Sequence, residues 1–176
     1  MDKRDLIVDV LKKIAILLEL KGENAFKIRA YRTGSEIVET YSGDIIKLAL
    51  DDDLKGIKGI GTALAQKIHE LVATGKLEYF ENLKNEFPQS IFDLFKISNL
   101  GPKKIKILYD QLGIDSISKL KQFCKSGEVG EISGFAKKSV SKILDSISFH
   151  EDNANTFRLG DVAPIAENIL EFLRSH

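Results

Sequence analysis

Apolar positions recur at three- and four-residue intervals along most of the chain. In residues 3–20 the set Leu6, Ile7, Val10, Leu11, Ile14, Leu17 and Leu18 makes one stripe of an amphipathic helix. Lys21-Gly22-Glu23-Asn24 follows as a glycine C-cap and a turn. The pattern then predicts a second helix from about Ala25 to Tyr41 and a short third from Ile45 to Leu50. No segment sustains the period-two alternation of a half-buried strand. Pro88, Pro102 and Pro164 all suit the first turn of a helix. The expected fold class is all-α.

An internal repeat divides this helical pattern. Three segments share an apolar residue, a short glycine-bearing hairpin and then a helix with lysines near its start. The first is 54–62, containing Gly59-Ile60-Gly61-Thr62, with its helix from Ala63 through Lys67 and Ile68. The second is 95–101, containing Asn99-Leu100-Gly101, followed by Pro102-Lys103-Lys104. The third is 129–136, containing Gly134-Phe135-Ala136, followed by Lys137-Lys138. Two small helical subdomains built around three helix-hairpin-helix elements are therefore expected.

Such a hairpin suits phosphate for physical reasons. Glycine reaches positive φ at little steric cost and lets backbone approach a ligand closely. The first-turn amides of the following helix have no intrahelical acceptor and lie at the positive end of its dipole. The middle residue (Ile60, Leu100, Phe135) is expected to turn into the core. Contacts of this kind position a nucleic-acid strand without reading its bases. The candidate DNA-binding residues are Gly59, Gly61, Thr62, Gly101, Lys103, Lys104, Gly134, Lys137 and Lys138. The copies differ, since Asn99 and Ala136 each replace one glycine. DNA contact is expected first of the first two hairpins, and the third is read as more structural.

Net charge is zero, yet the charges are unevenly placed. Residues 101–142 hold 9 Lys/Arg against 4 Asp/Glu, whereas 143–176 hold 2 against 6. Local sign matters more than the total for contact with a polyanion. The chain of 176 residues is 43% hydrophobic and 30% charged, an ordinary globular balance. Nothing approaches a membrane span or a signal peptide. Cys124 is the one cysteine, so no intrachain disulfide forms, and a reducing compartment is expected: cytoplasmic, in association with the nucleoid.

The chain resembles the amino-terminal part of the family X DNA polymerases, the group that includes DNA polymerase beta and bacterial enzymes with an added phosphoesterase domain. The resemblance rests on Gly22-Glu23-Asn24 through Phe26-Lys27-Ile28-Arg29-Ala30-Tyr31-Arg32, on Gly59-Ile60-Gly61-Thr62, and on Ala73-Thr74-Gly75-Lys76-Leu77. It implies a lyase-like domain over 1–85 with the first hairpin. A fingers-like domain over 86–149 would hold the other two, and 150–176 would be a linker and helix leading to a palm domain. After the helix expected over 162–174 the chain stops, without the carboxylate pair that holds two metal ions in such a palm. Asp51-Asp52-Asp53 reads as a solvated acidic turn. No polymerase active site is expected, and the chain reads as a fragment or remnant of a longer enzyme whose carboxy-terminal polymerase domain is missing.

The resemblance further implies a 5′-deoxyribose phosphate lyase using a Schiff base, with Lys67 as nucleophile. Lys27 and Tyr31 match positions that bind the 5′-phosphate and shape the pocket, and Lys55 matches another cation lining it. Ala63, Phe26, Glu78 and Tyr79 depart from the pattern, the first in place of a phosphate-binding lysine and the second in place of a stacking histidine. Glu78 and Tyr79 stand where further cations are frequent. The family's hairpins also hold a monovalent cation on backbone carbonyls, here those of Lys55, Ile57 and Ile60 and of Phe95, Ile97 and Leu100, so Na+ or K+ is expected there. No cofactor is expected to be required for binding. His69, His150 and His176 have no metal-ligand spacing. Most phenylalanines sit at core spacing, with Tyr31 the aromatic exempted. The expected function is a non-sequence-specific DNA-binding module for gapped, nicked or 5′-phosphorylated DNA, with no membrane partner. A structural or protein-interaction helical module is the alternative.

Overall fold

A computed structural model describes residues 2–154. Nine α-helices appear among them: α1 (Lys3–Lys21), α2 (Ala25–Thr40), α3 (Ile45–Leu50), α4 (Thr62–Thr74), α5 (Glu78–Asn85), α6 (Pro102–Leu112), α7 (Ile117–Ser126), α8 (Glu128–Glu131) and α9 (Lys137–Ala154). Two 3-10 stretches, Leu54–Gly56 and Gln89–Lys96, interrupt the series. No strand occurs among the described residues, and the fold is all-α. The helix expected over 162–174, with Pro164 and His176, lies outside the described residues.

The chain forms two compact units. Of the described residues, the first comprises those up to Phe95 together with Leu100–Ser116; the second comprises Lys96–Asn99 and those from Ile117 to Ala154. Helix α6 joins the first unit because it packs on α1.

In the first unit α1 is the central helix. Its stripe is wider than the periodicity implies, since Val8, Ala15 and Leu20 are buried as well, while Leu6 is only partly so. Packing against α2, α3, α4, α5 and α6 accounts for that breadth. Gly22 ends α1 in a left-handed conformation (φ 81°), and the Glu23 amide reaches back to Leu18 O at 2.9 Å. Asn24 caps α2 by accepting the Phe26 amide at 2.7 Å, and Asp44 caps α3 by accepting that of Lys47 at 3.0 Å. Gly34 on α2 is buried, and any Cβ there would collide with Leu64 of α4. That close approach sets Lys27 and Tyr31 of α2 beside Lys67 of α4.

The second unit is built on Leu120, Cys124, Val129, Phe135, Val140, Ile143 and Ile147, all buried. Lys121 of α7 pairs with Glu151 of α9 at 2.6 Å. The Ser98 amide donates to Ser146 Oγ at 2.8 Å, tying the 96–99 turn to α9. Among the described residues, no helix is long and apolar enough to cross a membrane.

Candidate functional site

The three hairpin corners share one backbone pattern. Their first residues are left-handed: Gly59 at φ 99°, Asn99 at 68° and Gly134 at 92°. Asparagine tolerates this region better than most residues, which explains how it stands in for glycine at 99. The middle residues are buried, with Ile60, Leu100 and Phe135 exposed by 3%, 6% and 1%. In two hairpins the middle amide closes the corner, Ile60 onto Ile57 O and Phe135 onto Ile132 O, both at 3.0 Å.

The third corner position behaves differently. Gly61 (φ −77°, ψ 165°) and Gly101 (φ −92°, ψ 171°) adopt extended backbone open to any residue. A Cβ on either would meet no atom within 4 Å. Ala136 occupies the same position in the third hairpin and is exposed. The fold therefore needs the first corner residue to accept positive φ and the second to be apolar, but not the third to be glycine. Bare backbone at Gly61 and Gly101 leaves room for a ligand to approach. The Leu64 and Ala65 amides are taken by Gly61 O, and that of Ile105 by Gly101 O. The preceding first-turn residues Thr62, Ala63 and Lys103 are exposed, and first-turn amides of a helix have no intrahelical acceptor. Lys137 and Lys138 are likewise exposed at the start of α9.

Beside the first hairpin lies a cavity of about 430 Å³ lined by Lys27, Tyr31, Gly59, Gly61, Lys67 and Tyr79, with Ala30, Ala63 and Leu64. It brings together the three side chains that the sequence assigned to one pocket: Lys27, Tyr31 and Lys67. Lys55 stands apart from it; its ammonium is exposed and held by Asp52 at 2.9 Å. Asp52 itself is left-handed at φ 57° in an exposed turn between Asp51 and Asp53. The Lys55 ammonium lowers the Asp52 carboxyl pKa, chiefly through their hydrogen bond.

Tyr31 is core and pocket wall at once. It is buried, and its ring stacks parallel to Tyr79 at 6.1 Å between centroids. Burial first, and the neighbouring Tyr79 hydroxyl second, raise its pKa above the ordinary tyrosine range, so the hydroxyl stays neutral. Lys27 donates to Glu23 Oε1 at 3.2 Å. Burial alone would lower the Lys27 pKa, but interactions with the Tyr79 hydroxyl and the Glu23 carboxylate outweigh it and raise it. Lys27 in turn depresses the Glu23 carboxyl. Lys67, half-buried, donates to Ala63 O of its own helix at 3.4 Å. The pocket thus presents two amines and two phenols in largely apolar walls.

Phe26 is 78% exposed beside Lys27, as stacking on a base or sugar would require. Phe80, Phe87 and Phe92 instead pack against the core. His69 is engaged structurally, its Nδ1 2.7 Å from Ala49 O. Among the described residues no group of three or more His, Cys, Asp or Glu side chains has metal-site geometry. Tyr79 is the pocket residue the sequence did not assign, although its departure from a basic pattern marked the position.

Comparisons with known proteins agree with this architecture. A helix-hairpin-helix domain model matches residues 2–77, and a SAM-like helix-hairpin-helix tandem model matches residues 91–148. The chain is 36% identical over 173 residues, 98% of its length, to the DNA polymerase/3′-5′ exonuclease PolX of Bacillus subtilis (strain 168). It spans 30% of that relative's length. The chain belongs to the helix-hairpin-helix proteins, in the arrangement that opens the bacterial family X DNA polymerases.

Proposed function

We propose that the chain is the DNA-handling part of a repair polymerase, binding gapped or nicked DNA through backbone phosphates and carrying a 5′-deoxyribose phosphate lyase at Lys67. The observation that carries this reading is the single cavity lined by Lys27, Tyr31 and Lys67, with Gly59 and Gly61 of the first hairpin at its edge. A hairpin that takes a strand phosphate would present that strand's 5′-terminal sugar to the amines next to it.

The chemistry is a Schiff-base elimination. Lys67 Nζ gives up a proton and adds to the C1′ aldehyde of the ring-opened sugar, and loss of water with uptake of one proton gives an iminium. Loss of the C2′ proton to solvent then breaks the C3′–O bond and frees the downstream strand with its 5′-phosphate. Water hydrolyses the remaining sugar adduct and regenerates the lysine. Lys27 holds the phosphate of the departing sugar, and the neutral Tyr31 hydroxyl offers it a donor. Glu23 stays occupied with Lys27, which limits its repulsion of that phosphate.

Carbonyl oxygens are hard, neutral donors that fit a sodium or potassium ion. At the first hairpin this reading gives the ion Lys55, Ile57 and Ile60; Ile57 O accepts one amide and keeps a second lone pair. At the second it gives Phe95, Ile97 and Leu100. The ion would add positive charge where a phosphate meets the corner.

Two measurements test the proposal. Binding to 5′-phosphorylated gapped duplex should weaken steeply with salt, with a log–log slope of about −0.9 per phosphate neutralised. Borohydride should trap the chain on a pre-incised abasic strand, and Lys67→Ala should abolish that adduct while retaining binding. No binding at low salt removes the DNA reading; trapping undiminished in Lys67→Ala removes the catalytic assignment.

A further inference from the structure

The ring of Tyr79 is the common surface of the pocket's charged groups. Lys67 Nζ lies 4.9 Å from its centroid and Lys27 Nζ lies 5.8 Å from it. Tyr31 stacks on the same ring, the two planes differing by 4°. The ring and its partners come from three elements, α5, α4 and α2, so no single helix dictates the arrangement. The backbone leading to the ring is anchored. Leu77, just before it, is buried, and the Glu78 amide donates to Glu70 Oε1 of α4 at 2.8 Å.

Two ammonium groups brought into one small cavity repel each other. The negative face of an aromatic ring attracts both and offsets that repulsion. Lys67 has a particular need of such a partner, because its hydrogen bond to Ala63 O is long at 3.4 Å and fixes the amine poorly. A lysine at position 79 would add a third positive charge; a tyrosine adds attraction without charge.

We propose that Tyr79 is a positioning residue whose ring anchors the Lys67 and Lys27 amines together, aiming one at a sugar aldehyde and the other at the phosphate of the same sugar. The catalytic consequence rests on the lyase reading above, whereas the geometric one stands apart from it. The hydroxyl group is secondary for Lys67, so phenylalanine should substitute for tyrosine and leucine should not.

The test uses the 176-residue chain with its lysines reductively dimethylated by 13C-formaldehyde, the two resonances being assigned with Lys67→Arg and Lys27→Arg. In the parent and in Tyr79→Phe, ring current should displace the Lys67 methyl signal upfield from the other lysines. In Tyr79→Leu that displacement should vanish. On pre-incised abasic DNA, and with unmethylated chains throughout, Tyr79→Leu should lose about 2- to 5-fold in trapping rate and in half-saturation, and Tyr79→Phe should keep parental values. An undisplaced parental signal, or a phenylalanine variant that behaves like the leucine one, overturns the proposal. Should Tyr79→Leu fail to fold, the parent and Tyr79→Phe still decide it through the resonance. A parent that never traps on abasic DNA sinks the lyase reading, and the resonance continues to decide the role of Tyr79.

Discussion

Replacing Gly61 by aspartate separates what the hairpin needs in order to fold from what it needs in order to bind. Gly61 is the N-cap of α4 and supplies no side-chain cap. Its backbone, at φ −77° and ψ 165°, suits aspartate, and the space where a Cβ would project is open. An aspartate there can accept a first-turn amide and sits at the positive end of the helix dipole. Together these should stabilise the chain by about 0.3–1 kcal/mol. For a chain of this size that is a rise in melting temperature of roughly 1–4 °C. Binding should move the opposite way. Two unit charges about 4 Å apart repel by about 4 kcal/mol at an effective dielectric near 20. Salt and side-chain movement reduce that figure, but even a third of it weakens affinity roughly tenfold. The assay is fluorescence anisotropy on a 5′-phosphorylated gapped duplex at low salt, paired with circular-dichroism melting. Gly61→Ser, which caps without charge, should bind within a few-fold of the parent. A folded Gly61→Asp chain that binds as tightly as the parent would refute the claim that these amides meet phosphate.

Three further outcomes follow from individual positions. Asn99→Ala should cost about 1 kcal/mol in urea unfolding, because alanine resists the positive φ held there. Lys103→Ala, at an exposed position beside the second hairpin, should weaken binding alike on unrelated sequences and reduce the salt slope by about 1. Burial pushes the Cys124 thiol up to about 11 from 9.0, so iodoacetamide at pH 8 should spare it in the native chain and modify it in denaturant. The unfolded thiol ionises first, so the stability it contributes is complete below pH 9.0 and declines as pH climbs toward about 11.

Periodicity and a glycine C-cap made α1 through α4 legible, because each is defined by neighbours within a turn or two, and Gly22 ends α1 as its position implied. The buried middle residues of the hairpins were legible for the same reason. What escaped were features set by distant segments. The breadth of the buried face of α1 depends on five other helices. The 3-10 form of Gln89–Lys96 keeps its apolar residues at spacings that also suit an α-helix, and Ile91 and Leu94 are buried there. Lys55 carries the charge its motif position demands, but Asp52, three residues away, captures it. Tyr79 meets Lys27, Tyr31 and Lys67 only because α2, α4 and α5 converge, and no local spacing encodes that meeting.

The hairpins themselves show how a fold requirement and a ligand requirement can be told apart in one repeat. Position one is left-handed in all three copies and is filled by glycine or asparagine, the residues that conformation tolerates. Position two is buried in all three and is always apolar. Both are explained without any ligand. Position three has ordinary backbone and empty space around it, so stability alone would favour a capping serine or aspartate over glycine. Glycine at 61 and 101 is therefore left without a structural reason, and close approach by something outside the chain supplies one. Alanine at 136 adds a methyl group at the corresponding place, where the deeply buried Phe135 beside it makes the third hairpin first of all a piece of core. A ranking of the three corners by affinity for phosphate should accordingly place the first two above the third. That order follows from a single atom at one position of the repeat.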